Sequence, residues 1–364
     1  MSRIFAIVGF IAVAGIVVGM AAAAHQREEV RDMMLTSWIP YWDQESALNS
    51  FREHADLFDT VSLFWYYLDA GGAIKPYGPV KEDQSIIDEI HQSGAQVFAL
   101  VANLPDFEEG GDWDSARVQR VIGSADARAS HIRDLVAFIV DRGFDGLDID
   151  YEALRATQRN DFSQFIRELA AELHEHDKLL GVGLHPKTGE GNPAEDNGSH
   201  AQDWAQLAKY ADRMYLMSFG EHYAGGEPGP IASLPWVERV VSYAVNDLKV
   251  PPSKLVLEWP FYAVQWSASP GGRMRGVQSE MTLREAESVR AEAGATVEWG
   301  DASQSPSFRF DHENASHVVW LENARSLNAK LDLARHFGIA HVSYWRLGGE
   351  TDALWEVLSE YTGS

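Results

Sequence analysis

Cysteine is missing from all 364 residues. That excludes a thiol nucleophile, a disulfide framework, cysteine-ligated zinc and a lipid-modified cysteine anchor, and it leaves the redox compartment open. Positive charge is scarce as well: 30 Lys and Arg stand against 54 Asp and Glu, a net charge of −24. A surface of that sign repels phosphate backbones and anionic headgroups, so no nucleic acid and no anionic membrane surface is expected as a partner, and a neutral or cationic ligand is favoured. Internal repeats are lacking, and so are long apolar runs, with one exception. Ile4 to Ala24 is unbroken apolar sequence behind Arg3, ending Ala22-Ala23-Ala24-His25. A signal peptide accounts for the basic start and the small-residue ending, with cleavage near Ala24. A retained membrane anchor accounts for the length, since about 20 residues span a bilayer. Either way the folded part is expected to be exported: secreted, periplasmic, or attached to a membrane through residues 4–24.

Apolar and aromatic residues are plentiful, at 45% hydrophobic with 12 Trp, as a globular chain requires. From Thr36 onward short apolar runs alternate with amphipathic helical patterns, which predicts βα units on a parallel sheet. Candidate strands are 37–42, 60–67, 96–102, an acidic stretch ending at Glu152, 179–185, 213–219, 255–261 and 341–345. Helical spacing covers 84–92, 129–142, 160–176, 234–248, 324–337 and 353–361. In the third of these, Phe162, Phe165, Ile166, Leu169 and Leu173 make an ordinary core face. The pattern predicts an α/β fold, a (β/α)₈ TIM barrel over 36–266 and 320–362, with function at the carboxyl ends of its strands. Residues 267–319 are too many for a barrel loop. A helical pattern at 282–293, between strand-like pieces at 295–299 and 317–320, predicts a small α+β insertion that raises one wall of a cleft.

The acidic stretch is Phe144-Asp145-Gly146-Leu147-Asp148-Ile149-Asp150-Tyr151-Glu152. Read as a strand, it puts Asp148, Asp150 and Glu152 on one face, roughly 6.5–7 Å apart in succession, and Leu147, Ile149 and Tyr151 on the other. Mutual repulsion and partial desolvation raise the pKa of at least one acid in such a file, as a general acid working near neutrality requires. An acidic run is more often solvated surface, but the apolar alternation and the helix-breaking Gly143 argue against that here. Clustered carboxylates also suit hard cations; the single Gly precedes the acids, which does not fit a calcium loop.

Asp145-Gly146-Leu147-Asp148-Ile149-Asp150-Tyr151-Glu152 matches D-G-x-D-x-D-x-E, and on these residues the chain resembles family 18 glycoside hydrolases, the chitinase-like barrels. Val342-Ser343-Tyr344-Trp345-Arg346-Leu347-Gly348-Gly349-Glu350 is similar to the family's eighth strand, whose Trp floors the sugar site. The run from Ser305 to Asp311 and on through Trp320 resembles the insertion of a bacterial subgroup that includes peptidoglycan-directed and spore-cortex N-acetylglucosaminidases.

The resemblance implies substrate-assisted retaining hydrolysis of β-1,4-linked N-acetylglucosamine polymers of peptidoglycan or chitin type, with no metal or other cofactor. Glu152 would protonate the leaving oxygen, Asp150 would orient the acetamido group, and Asp148 would hold Asp150 and share its proton. Substrate contacts are expected at Trp345 foremost, and at Asp145, Tyr41, Trp65, Met217, Phe219, Glu221, Tyr262 and Arg346. One departure stands out. The family ends its sixth strand with Met-x-Tyr-Asp, which clamps the acetamido group, whereas this chain has Met217-Ser218-Phe219-Gly220-Glu221-His222-Tyr223. The ring is kept and both polar groups are lost. Trp38, Trp42, Tyr66, Trp259 and Trp266 also fall near strand ends, where flat rings can cover pyranose faces, although many such rings simply fill barrel layers. His185, His222 and Lys187 fit a cleft, but for each a structural role is slightly favoured. Two rivals remain open: a catalytically weak or inactive chitinase-like lectin, favoured by Phe219 and Gly220, and a wall-associated structural module.

Overall fold

A computed structural model describes residues 33–191 and 198–363; the expected leader or anchor lies outside them. The strands are Met34–Pro40 (β1), Thr60–Leu68 (β2), Ile74–Pro76 (β3), Gln96–Ala102 (β4), Gly146–Asp150 (β5), Leu179–Leu184 (β6), Arg213–Met217 (β7), Leu255–Pro260 (β8), Tyr262–Ala268 (β9), Arg275–Thr282 (β10), Glu298–Gly300 (β11), Ser305–His312 (β12), Ala315–Trp320 (β13) and His341–Trp345 (β14). Eight of them pair in parallel in the order β1, β2, β4, β5, β6, β7, β8, β14, and β14 pairs with β1 to close the ring. This is the expected (β/α)₈ barrel, with the acidic stretch as its fourth strand.

Local chemistry accounts for how the chain enters that strand. The helix Ala125–Arg142 opens on Ser124, whose side chain accepts from Ala127 N, and closes on Gly143 at φ 76°. Glycine reaches that left-handed conformation without steric cost, so the helix stops there and the chain turns into β5. Leu147, Ile149 and Tyr151 then pack outward against the helical shell, and Tyr151 Oη lies 2.8 Å from His131 Nε2. Asp148 and Asp150 face the barrel axis, so the alternation legible in the sequence holds in three dimensions.

At the amino-terminal end of the barrel an aspartate recurs just before a strand. Asp59 accepts from Leu35 N, Asp145 from Val97 N and Asp212 from Leu180 N, at 2.8, 2.8 and 2.9 Å. Each ties the neighbouring strand into register, and Asp145 also meets His91 Nε2 at 2.8 Å. Asp145 therefore works at the end of the barrel away from the strand tips, and the expected sugar contact does not hold for it.

Some elements differ from the pattern reading. The helices Gln44–Glu53 and Ser115–Ile122 are additional to those expected, the second with Val118, Val121 and Ile122 buried at helical spacing. Between β6 and β7 the described chain has one helical turn, Trp204–Leu207, in place of a full helix. The helix at 234–248 is α-helical over Leu234–Ser242 and widens to a π-turn over Tyr243–Asp247. The insertion begins earlier than expected: β9 leaves the barrel at Tyr262 and joins a five-stranded antiparallel sheet in the order β10, β9, β13, β12, β11. Its helix Leu283–Glu292 is fixed by a reciprocal cap between Thr282 and Glu285. Among the described residues no helix is long and apolar enough to cross a membrane.

The aspartate clamp predicts that Asp145→Ala strands the Val97 N–H and lowers unfolding free energy by about 1–3 kcal/mol. A matching fall in the urea midpoint checks it. An unchanged midpoint would mean that Val97 finds another acceptor.

Candidate active site

An open cleft of about 660 Å³ lies at the carboxyl ends of the barrel strands, within the size range of sites that bury small ligands. Asp148, Asp150 and Glu152 line it together. Asp148 is deepest and accepts from Ser62 Oγ at 2.6 Å. Burial pushes its carboxyl up to about 6, while Ser62, Arg213 and Tyr215 act in the opposite direction. Asp150 stands one step higher and is pushed up to about 7, by burial and then by the charge of Asp148.

Glu152 lies past the end of β5, at the level of the cleft mouth. Its backbone is pinned by Asn103, which accepts from Glu152 N at 2.8 Å and donates to Glu152 O at 2.9 Å. Its carboxylate is 3.3 Å from His185 Nε2. Burial first, then the charges of Asp150, Glu258, Asp112 and Glu280, raise its pKa well above the usual carboxylate range. The three acids form a ladder in which each lower charge favours the proton on the next.

The ladder needs room, and β6 supplies it. A Cβ on Gly183 would stand 2.7 Å from Asp150 Oδ1, and one on Gly181 would collide with Asp148 Oδ1. Two glycines in Leu179-Leu180-Gly181-Val182-Gly183 thus serve the neighbouring strand's carboxyls. Their spacing of two, matching Asp148 and Asp150, was a signal the sequence carried; the residues they face become known only from the β5–β6 register.

Aromatic rings make the floor and the opposite wall. Trp345 packs 5.6 Å from Phe64, 5.9 Å from Trp42 and 6.1 Å from Trp38 between ring centroids. Tyr41 stacks on Tyr77 at 3.8 Å and meets Trp42 edge-on. Trp345, Tyr41, Met217 and Phe219 of the expected contacts line the cleft, joined by Trp38, Trp42, Phe64, Trp113 and His185. Glu280 reaches the same space from β10 of the insertion.

Other expected contacts lie elsewhere. Trp65 is buried on the outer face of β2 because it alternates with the inward Phe64, and the register shift of the β2–β4 pairing between Phe64 and Tyr66 turns Tyr66 outward as well. Trp259 and Trp266 are buried too, Trp266 within the insertion sheet. Glu221 accepts from Ser233 N at 2.8 Å, outside the cleft lining. Tyr262 and Arg346 line a small recess beside the cleft, which shares Trp345 and Glu280 with it. There Arg346 is held by Asp43 at 2.7 Å. Lys187 is buried against Gln202 O, and His222 Nδ1 sits 3.2 Å from Glu227 O; neither lines the cleft.

Glu258 on β8 was not singled out by the sequence pattern. It lies in an apolar run, Leu255-Val256-Leu257-Glu258-Trp259, where one acid gives no periodic signal. The structure buries it to 3% exposure and turns it into the cleft.

The description Glycosyl hydrolases family 18 matches residues 109–350, and the chain belongs to that family. It is 25% identical over 321 residues to the uncharacterized glycosylase YvbX of Bacillus subtilis, covering 87% of this chain and 88% of that one. It is 29% identical over 224 residues to a cortical fragment-lytic enzyme of the same organism, covering 60% of this chain and 50% of the relative. Among solved structures, a chitinase from Chromobacterium violaceum superposes with a TM-score of 0.80 at 26% identity, over 91% of this chain and 99% of that one. The spore cortex-lytic enzyme SleL of Bacillus cereus shares the fold, with a TM-score of 0.80 at 20% identity, over 91% of this chain and 75% of that one.

The raised acids predict a pH-dependent stability change. An unfolded Asp ionises near pH 4, whereas folded Asp150 holds its proton to about 7. The folded state is therefore penalised as pH rises from about 4 through 7, and the penalty is complete above that window. Asp150→Asn should raise the thermal midpoint by about 2–6 °C at pH 8 and by less than about 1 °C at pH 4. Equal shifts at both pH values would refute the assignment.

Proposed function

We propose that the chain is a glycoside hydrolase that cleaves β-1,4-linked N-acetylglucosamine polymers of peptidoglycan or chitin type with retention, using the substrate's own acetamido group. The observation that carries the proposal is the placing of Glu152 at the mouth of a ring-lined cleft above Asp150 and Asp148, where burial and their charges favour its proton. The family and its cortex-lytic and chitinase relatives support the substrate class.

In the first step the acetamido carbonyl oxygen attacks the anomeric carbon while the glycosidic C–O bond breaks and Glu152 gives its proton to the leaving oxygen. The cyclic ion so formed carries a positive charge, which Asp150 balances as its proton passes to Asp148. Water then adds to the anomeric carbon as the bond to the acetamido oxygen breaks, the water gives a proton to Glu152, Asp148 returns its proton to Asp150, and two inversions leave the configuration retained. Trp345 and the rings around it cover the apolar face of the reacting sugar. Proton donation fails once Glu152 ionises, so the rate falls on the alkaline side.

A second reading has its own support: Phe219 and Gly220 bring no hydrogen-bonding side chain to the cleft, as a glycan-binding protein without turnover would tolerate. Incubating the protein with N-acetylglucosamine oligomers and with peptidoglycan separates the two. Hydrolysis is expected, lowered at least about 10²-fold in Glu152→Gln. Binding of oligomers with no product from the unaltered protein would establish the binding role instead.

A further inference from the structure

The cleft wall built by β7, β8 and β14 is short of polar side chains at the level where the reacting sugar sits. Met217 and Phe219 are apolar, Gly220 has no side chain, and Ser218 Oγ is turned to Leu216 O at 3.1 Å. Tyr215 lies deeper, beside Asp148. Glu258 is the exception on this wall. It pairs with Met217 on one side and Ser343 on the other in strand register, and Ser218 N donates to its backbone carbonyl. Its carboxyl accepts no hydrogen bond from any described residue, although the residue is 97% buried and lines the cleft. A side chain buried this far, with its carboxyl open to the cleft and without a protein partner, is placed to meet a ligand.

We propose that Glu258 supplies, from the seventh barrel strand, the polar contact to the acetamido group of the bound sugar that Phe219 and Gly220 do not supply from the sixth. The groups facing it are Asp148 and Asp150 on β5, Glu152 beyond it, and Tyr262 at the start of β9. No cation is among them, so Glu258 keeps its proton and donates it in a hydrogen bond to the acetamido carbonyl oxygen. As that oxygen attacks the anomeric carbon, the donor holds it in line. A carboxyl in this place therefore does the work of a hydroxyl carried on a neighbouring strand. Burial and the charges of Asp150 and Asp148 hold the Glu258 pKa well above the carboxylate range, in keeping with this role.

The inference rests on the proposed function, and the test keeps the two apart. Hydrolysis of N-acetylglucosamine tetramer is measured for the unaltered protein, Glu258→Gln, Glu258→Leu, Phe219→Tyr and the Glu258→Leu/Phe219→Tyr double variant. Glu258→Gln keeps a donor and should stay within about tenfold; Glu258→Leu should lose about 10²-fold, mostly in kcat. Phe219→Tyr should recover at least about tenfold in the Leu background. Equal rates for Glu258→Leu and the unaltered protein, with Glu152→Gln inactive, would overturn this inference and leave the proposed function standing. Should the unaltered protein cleave nothing, the proposed function falls, and binding decides the role of Glu258. In the Glu152→Gln background, Glu258→Leu should then weaken the N-acetylated tetramer about tenfold and the de-N-acetylated glucosamine tetramer less. A larger loss for the glucosamine tetramer would mean that Glu258 acts as an anion toward an ammonium, which also overturns it. Melting of each variant confirms folding, and Glu258→Gln tests the contact should Glu258→Leu not fold.

Discussion

Four carboxyl groups, Asp148, Asp150, Glu152 and Glu258, share the mouth of one barrel, and each ionised group raises the free energy of ionising the next. The site is organised around that repulsion. Charge is admitted at the bottom, where Ser62 donates to Asp148 and Arg213 lies one layer below, held by Thr60 and Gln96. Protons are favoured toward the top, where among the described residues no comparable donor or cation acts on Asp150 or Glu258. The result is a gradient along the barrel axis, with the acid best placed to give up a proton at the level of the cleft mouth.

Such crowding is tolerable because the barrel keeps two separate cores. Outside the strands, an aliphatic shell packs Leu147, Ile149, Leu180 and Val182 against the surrounding helices. Inside, Trp38, Phe64, Leu100, Tyr215 and Val256 form a smaller cluster, and the first four of them line the cleft. The outer shell holds the strands in register whatever the protonation of the inner groups, so the destabilising acids sit on a rigid support. Gly181 and Gly183 belong to the same arrangement, since a side chain at either would compete with a carboxyl for the axis. On the opposite side, β1, β2 and β14 present rings where β5 presents acids, and a pyranose has one apolar face and one polar rim to match.

Patterns confined to one segment were readable. The alternation through β5 put Asp148 and Asp150 on one face before any fold was known, and the break at Gly143 separated helix from strand. The insertion announced itself by its length. Patterns that depend on a neighbour were not readable. Trp65 has the composition of a cleft residue, yet the phase of β2 against its neighbours puts Phe64 on the axis, and alternation leaves Trp65 outside. Asp145 shares a motif with the other acids, yet it serves Val97 N at the far end of the barrel. Asn103 and Glu258 gave no local signal and the two glycines gave only their spacing, because the groups they face come from strands tens of residues away.

By itself, then, the sequence determined the strand and helix rhythm, the closed parallel barrel and the file of acids. These follow from hydrophobic period and backbone stereochemistry, which act over a few residues. Only the tertiary structure decided which rings face the axis, which residues make room for the acids, and that a fourth carboxyl on β8 joins them. Those depend on which strands lie side by side and in what register. Burial converts that juxtaposition into chemistry, since a carboxyl that is ordinary in water keeps its proton once its neighbours are charged and its solvent is gone.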